Sequence, residues 1–166
     1  MSDSLEPRPV RLSVSEYSEL ALPNDANTLG NLLGGKVMHL VDLAAALAAM
    51  RHARRSVVTA SVDSMSFLYP VRIGQLIVLR SCVNRAFRTS MEVGVRVEVE
   101  TLLTGETRHT SSAYLTFVAL GNDGRPIPIP AVIPETEEEK RRFHEAEERR
   151  RYRLEMRERS RKWQNV

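Results

Sequence analysis

The sequence predicts an α+β fold in which an antiparallel β-sheet wraps around one long apolar helix. Residues 37–50 are apolar except for His39 and Asp42, so that this segment is apolar on every helical face, as is typical of a core helix. Consecutive strand-like segments follow it, and a highly charged helical segment ends the chain. We therefore expect the sheet to curl around the helix, or a second subunit to cover the side that the sheet leaves open.

The chain before this helix contains one predicted strand and one predicted loop. Residues 10–20 alternate loosely between apolar and polar side chains, which indicates a first strand. Residues 22–31 are dense in turn and capping residues, which predicts a structured loop. Gly34 and Gly35 mark the start of the helix, and we expect it to end at about Arg51 or His52.

Four segments after the helix are predicted to be strands: 56–69, 76–83, 91–99 and 107–120. The clearest is 91–99, in which Met91 and four valines alternate with Glu92, Gly94, Arg96 and Glu98. This period of two predicts a sheet with one buried face. Turn residues separate the strands, among them Pro70 with Gly74 and the pair Thr104-Gly105.

The end of the chain predicts an extended segment followed by a helix. Residues 125–134 alternate proline with apolar residues, and Thr136 with Glu139 forms a capping box for a helix over about 136–160. One interpretation is a solvated charged helix held by intrahelical ion pairs. The other is that Arg141, Arg142 and their neighbours contact a phosphate-bearing ligand. We predict a main domain over 10–134 and a charged helical extension over 135–166.

Composition limits the class of protein. The 166 residues suffice for one substantial core, and the longest apolar stretch is too short to span a bilayer. Residues 1–9 lack the features of a signal peptide, and the single cysteine, Cys82, fits a reducing compartment. We therefore expect a cytoplasmic protein with no membrane partner.

The net charge of +3 does not predict a nucleic-acid partner. Residues 135–162 hold 11 of the 24 Lys and Arg residues and 9 of the 21 Asp and Glu residues, so the remainder of the chain is close to neutral. The acids within the charged segment weaken the attraction to phosphate on which such binding depends.

Asp42 is the residue with the strongest indication of chemistry. A carboxylate inside an apolar helix costs several kcal/mol unless it is paired or protonated, and such groups tend to lie at functional sites. The alternative is a satisfied polar residue at a subunit interface, paired with His39 one turn earlier. Asn27 lies upstream, and Gly30, Gly34 and Gly35 stand between the two.

Together these residues form a plausible functional site. The first amides of a helix lack internal partners and suit a developing oxyanion. A carboxylate can activate water or attack directly, while a carboxamide can hold the water or the carbonyl oxygen. The sequence contains no zinc-type ligand spacing, Ser-His-Asp elbow, P-loop or dinucleotide fingerprint, so we expect no metal and no separate cofactor.

In these residues the sequence resembles the hotdog-fold acyl-CoA thioesterases, in particular the acyl-CoA hydrolase branch with brain-type and bacterial members. The resemblance covers roughly residues 20–142. The matching stretches are 22–27, 30, 34–35, 38, 42, 50–52, 58–63, 67, 90–92, 117–118 and 132–140.

The resemblance implies a hotdog fold, with a long central helix wrapped by an antiparallel sheet. It further implies that two such units pair into one continuous sheet, and that three pairs form a hexamer. Asn27 and Asp42 would be the catalytic pair, with Asn27 of one subunit facing Asp42 of its neighbour. Gly35 would supply the oxyanion amide, and Gly34 would contact the substrate.

Coenzyme A requires cations for its phosphates. A basic, hydroxyl-bearing turn between two strands is formed by Arg85, Arg88, Thr89 and Ser90, of which we expect the last three to bind it, while Arg54 and Arg55 offer a second patch. The alternative is that these arginines are ordinary solvated charges.

The expected function is hydrolysis of an acyl-CoA thioester to free coenzyme A and a carboxylic acid. A thiol leaving group has a pKa of about 8.5, so its departure needs little help from an acid. Asp42 would act as general base or as nucleophile, and the sequence leaves both open. An acyl-CoA binding or sensing protein that does not hydrolyse its ligand is the main alternative. A hotdog dehydratase is disfavoured because no histidine lies in the loop and helix-start motif.

Overall fold

A five-stranded antiparallel sheet carries the predicted helix on one face. The computed structural model describes residues 5–164, and side chains as far as residue 161. The strands are β1 (Arg8–Pro9), β2 (Ser15–Leu20), β3 (Ser56–Val62), β4 (Leu76–Ala86), β5 (Ser90–Thr101), β6 (Glu106–Leu120) and β7 (Val132–Ile133), and the helices are α1 (Gly34–Ala53) and α2 (Glu137–Gln164). The sheet has the order β2-β4-β5-β6-β3, and β1 pairs separately with β7 in parallel.

Helix α1 begins at the predicted glycine pair. It ends at Ala53, because Arg54 adopts a left-handed conformation with φ 54°. One side of α1 is buried against the sheet. The sheet alone does not bury every side, since Met38 and Met50 are 48% and 42% exposed, and the alternative that a second subunit covers the open side stays a prediction. The sheet covers one side of the helix, and the other side presents apolar side chains to the surface.

The predicted alternation of β5 is present, and its apolar residues face α1. The prediction of one buried face is wrong at Glu92, which is fully buried on the opposite face of the sheet. Helix α2 packs over that face and contributes Arg149 and Arg153 to the carboxylate of Glu92. The highly charged helix α2 therefore covers Glu92. The alternation along β5 does not predict this burial, because it does not show what packs on the outer face of the sheet.

The predicted strands differ from the observed ones mainly at their ends. The first begins at Ser15, because residues Val10–Leu12 form a 3-10 turn. The strand predicted over 56–69 ends at Val62. Beyond it, the backbone N–H groups of Asp63 and Leu68 donate to β6 without a continuous ladder.

Helix α2 starts with the predicted capping box. The Glu139 N–H donates to Thr136 Oγ1, and the Thr136 N–H donates to Glu139 Oε2, both at 3.1 Å. The interpretation as a solvated helix is wrong for the part that packs on the sheet, where Ala146 is fully buried. The division of the chain at residue 135 stays a prediction. Within residues 5–164, neither helix combines the length and apolar character that crossing a membrane requires.

Candidate active site

Asp42 lies on α1 at the border between the buried and the open side of the helix. Its side chain is half-buried, so the predicted place inside the core is wrong for the single chain. Its Oδ1 accepts a hydrogen bond of 2.7 Å from Oγ1 of Thr59 on β3, the edge strand of the sheet. His39, the alternative partner, is exposed. The carboxylate is therefore held by a hydroxyl group while remaining accessible.

Thr59 contacts the candidate catalytic carboxylate, although its sequence context does not indicate such a role. It lies within a stretch that carries the family resemblance, but its type alone, a β-branched residue in a strand, indicates only β-structure. Its contact with Asp42 depends on how edge strand β3 lies beside α1. A register shift between Thr59 and Ser61 accompanies this contact. A hydroxyl aimed at a carboxylate from the neighbouring strand is visible only in three dimensions.

The carboxamide of Asn27 organises its own loop. Its Oδ1 accepts the backbone N–H groups of Leu29 at 2.9 Å and of Asn31 at 3.1 Å. These two donors identify the atom they contact as the amide oxygen. The Nδ2 group is therefore the part of the side chain that can donate a hydrogen bond to a ligand. The predicted approach of Asn27 to Asp42 of a second subunit stays a prediction.

An ion-pair cluster ties this loop to the start of α1. The Nζ of Lys36, in the first turn, lies 2.8 Å from Glu19 Oε1 and 3.3 Å from Asp25 Oδ2. The hydrogen bond from Lys36 is the main cause that lowers the pKa of Glu19. Asp25 is two residues before Asn27, so the cluster fixes the loop beside the helix start.

The helix start itself has no side-chain cap. Leu33 occupies the capping position without a side-chain hydrogen bond, and the Val37 N–H is bonded to the carbonyl of Leu33. The amides of the preceding first-turn residues, including Gly34 and Gly35, have no partner within the helix. A Cβ on Gly34 would lie 3.8 Å from Cζ of Phe67, whereas a Cβ on Gly35 would meet open space. Gly35 therefore offers an approachable amide, and Gly34 is packed against an aromatic ring.

Arg88, Thr89 and Ser90 lie at the turn between β4 and β5. Ser90 is paired with Val118 of β6, which is paired with Val58 of β3, so about 10 Å separates Ser90 from β3. The Ser90 hydroxyl lies on the face covered by α2, where it is 3.3 Å from Nη1 of Arg150. Thr59 instead points to the α1 face. Within one chain, the structure therefore does not bring this turn and Asp42 together.

Several other polar side chains have partners within the described structure, and a phosphate contact of Arg141 and Arg142 stays a prediction. Arg141 and Arg142 form intrahelical ion pairs with Glu145 and Glu138, as the interpretation of α2 as an ion-paired helix expects. His52 is buried, with Nε2 2.8 Å from the carbonyl oxygen of Pro130. Among the described side chains, no group of three or more His, Cys, Asp or Glu residues could hold a metal ion.

The chain is similar in sequence to known thioesterases. The thioesterase superfamily model matches residues 29–106. A Bacillus subtilis protein named an uncharacterized acyl-CoA thioester hydrolase is 47% identical over 117 residues, which are 70% of this chain and 68% of that protein.

Two solved structures are similar over nearly the whole chain. A hexameric acyl-CoA thioesterase without ligand has a TM-score of 0.88 and 44% identity, and the match covers 91% of this chain and 97% of that one. An acyl-CoA hydrolase from Staphylococcus aureus, in complex with butyryl coenzyme A, coenzyme A and coenzyme A disulfide, has a TM-score of 0.87 and 32% identity. That match covers 96% of this chain and 100% of the other.

Proposed function

Because the chain belongs to the thioesterase superfamily and has its hotdog fold, we propose that it hydrolyses acyl-CoA thioesters to free coenzyme A and a carboxylic acid. The observation that carries the proposal is the accessible Asp42 carboxylate, held by Thr59 on the open side of the helix. Relatives of this chain that are named as acyl-CoA hydrolases support the same substrate class.

The proposed reaction uses few groups. Asp42 removes a proton from water, which attacks the thioester carbonyl carbon, and the carbonyl oxygen becomes an oxyanion that the Gly35 amide stabilises. The Nδ2 amide of Asn27 orients the water or the carbonyl oxygen. The intermediate then collapses with cleavage of the C–S bond, and the thiolate leaves without a strong acid because its pKa is about 8.5. Attack by Asp42 itself, through an anhydride that water then hydrolyses, is the second form of the proposal.

A homo-oligomer would complete the site. The open side of α1 exposes Met38, Leu43 and Met50, and the edge strand β3 exposes Val58 and Val62. Exposed apolar side chains beside an unpaired strand edge favour association with a second copy. We propose that two chains join their sheets at β3, that Asn27 of each faces Asp42 of the other, and that three such dimers assemble. The hexameric relative supports the last step.

The binding groups for coenzyme A are proposed on the same basis. Gly34 borders the reacting thioester, while Arg88, Thr89 and Ser90 contact the phosphate-bearing part of coenzyme A. Because the Ser90 side chain lies on the opposite face from Asp42 of its own chain, this turn would serve a ligand that extends around the sheet or belongs to a neighbouring subunit's site. A cytoplasmic location stays a prediction.

The test is release of thiol from a panel of acyl-CoAs of increasing chain length. Asp42→Ala and Asn27→Ala should each lower kcat by at least about 100-fold, the usual contribution of a positioned base and of a hydrogen-bond donor to the reacting oxygen, respectively. His39→Ala is the matched control, because His39 is an exposed polar residue one turn from Asp42. Near-normal turnover in either alanine variant would refute the assigned roles. Binding of acyl-CoA without thiol release by the wild-type protein would favour a binding or sensing protein.

A further inference from the structure

We propose that Arg153 of α2 is a positioning residue for the substrate site, because it anchors the segment 63–70 that follows β3. This segment carries Phe67 to the start of α1. The inference rests on the proposed function, since it assigns to the C-terminal helix a part in forming the acyl-CoA site.

The anchor is a buried ionic cluster beneath α2. Glu92 is fully buried on the outer face of β5. Arg149 donates to both of its carboxylate oxygens, with a shortest distance of 2.7 Å, and Asn84 donates to Oε1 at 3.1 Å. Arg153 adds two bonds of 3.1 Å to Oε2. A buried carboxylate needs such partners, since removing one leaves an uncompensated charge.

Arg153 differs from Arg149 in where its second acidic partner lies, because the second partner of Arg149 is Glu145 of the same helix, whereas that of Arg153 directly follows β3. Its Nη1 also donates to Oδ2 of Asp63 at 2.8 Å, and the side chains of Arg153 and Asp63 are 19% and 18% exposed. Arg149 instead stacks its guanidinium on the ring of Tyr114 at 3.7 Å. Arg153 therefore joins the buried strand position Glu92 to the residue that directly follows β3.

The segment after Asp63 depends on such an anchor. Strand β3 is paired with β6 as far as Val62, with one register shift between Thr59 and Ser61. Beyond Val62, backbone hydrogen bonds to β6 are spaced apart, from Asp63 to Tyr114 at 3.0 Å and from Leu68 to Thr110 at 2.9 Å. Between them the chain positions Phe67, whose ring packs over Gly34.

Loss of the anchor should affect binding more than the chemical step. A segment that leaves its position part of the time lowers the fraction of molecules able to bind substrate, which raises the apparent dissociation constant by the same factor. Thr59 lies within the paired part of β3, so its contact with Asp42 stays in place. The expected signature is a raised KM with a nearly unchanged kcat.

The test compares Arg153→Met with Arg149→Met in the full-length protein. Both variants remove an arginine from Glu92, but Arg153→Met alone also removes the partner of Asp63. Hydrogen exchange of the Asp63 and Leu68 amides, normalised to amides of β5, reports the anchoring without reference to activity. Arg153→Met should speed this exchange about tenfold, as expected for loss of a charged hydrogen bond, and raise KM by the factor by which the anchored fraction falls, while Arg149→Met should leave the normalised exchange unchanged.

Equal normalised exchange in the two variants, with KM unchanged in Arg153→Met, would overturn the inference. If Arg153→Met does not fold, Asp63→Asn removes the same ion pair and leaves both arginines on Glu92. The same increase in exchange is then expected, and its absence counts against the anchor. If the wild-type protein releases no thiol from any acyl-CoA, the proposed function fails, and the exchange measurement still decides whether Arg153 holds the segment.

Discussion

Replacing Thr59 with valine tests whether the hydroxyl beside Asp42 contributes to catalysis. Valine keeps the shape and the β-propensity of threonine but cannot donate the hydrogen bond of 2.7 Å to Oδ1 of Asp42. Under the proposed function, the carboxylate would then lose the group that orients it toward the attacking water. We therefore expect kcat to fall while the fold persists.

The size of the effect follows from the type of bond and its exposure. Hydrogen bonds to charged groups contribute about 1.5–3 kcal/mol, and the lower value applies here because Asp42 is half-buried and water can replace part of the bond. A loss of about 1.5 kcal/mol in the transition state corresponds to a decrease of roughly tenfold in kcat.

Thr116→Val is the matched control for this substitution. Thr116 lies on β6 opposite Ser61 of β3, and its Oγ1 is buried without a hydrogen-bond partner among the described residues. Replacing that hydroxyl with a methyl group should leave kcat unchanged and stabilise the fold by about 1 kcal/mol. Thiol release and urea unfolding measure the two variants. Turnover of Thr59→Val within twofold of the wild type, or an equal loss in Thr116→Val, would refute the reasoning.

Two further predictions concern the stability of the fold. Burial lowers the pKa of His52 below its usual 6.5, so the unfolded chain takes up a proton that the folded chain does not. The free energy of unfolding should therefore decrease as pH falls below 6.5, by at most about 1.4 kcal/mol per pH unit, and urea titrations should show a weaker dependence in His52→Gln. Gly94→Ala would place a Cβ 2.8 Å from Nδ2 of the buried Asn84, so we expect a loss of about 1–3 kcal/mol by thermal unfolding, and an unchanged Tm would contradict this packing.

The elements of the fold could be predicted because each has a local pattern. The glycine pair and the apolar run define α1, the alternation over 91–99 defines the core of β5, and the capping box of Thr136 starts α2. The resemblance to known thioesterases added the topology. The strand ends were less predictable. Strand β3 ends at Val62 because its pairing with β6 ends there, and the composition of the segment does not show where that pairing stops.

Long-range contacts were outside the reach of local patterns. The burial of Glu92 depends on an arginine pair about 60 residues away along the chain, so its place in an alternating strand suggested a surface position. Thr59 was missed for the same reason, because nothing in its neighbourhood in sequence points to Asp42. The sequence shows that α2 is highly charged. It does not show which of these charged side chains become buried, because that depends on the face of α2 that packs on the sheet.

The order of the strands has a consequence for how the site forms during folding. Strands β4, β5 and β6 follow one another through the short connections 87–89 and 102–105, whereas β3 pairs with β6 only after a loop of many residues has closed. Local hairpins form within microseconds, and distant pairings form more slowly because loop closure costs entropy. Thr59 therefore meets Asp42 only when the edge strand β3 docks. A chain with most of its β-structure in place would still lack this contact, so that under the proposed function the return of activity reports the docking of β3 rather than the formation of the first hairpins.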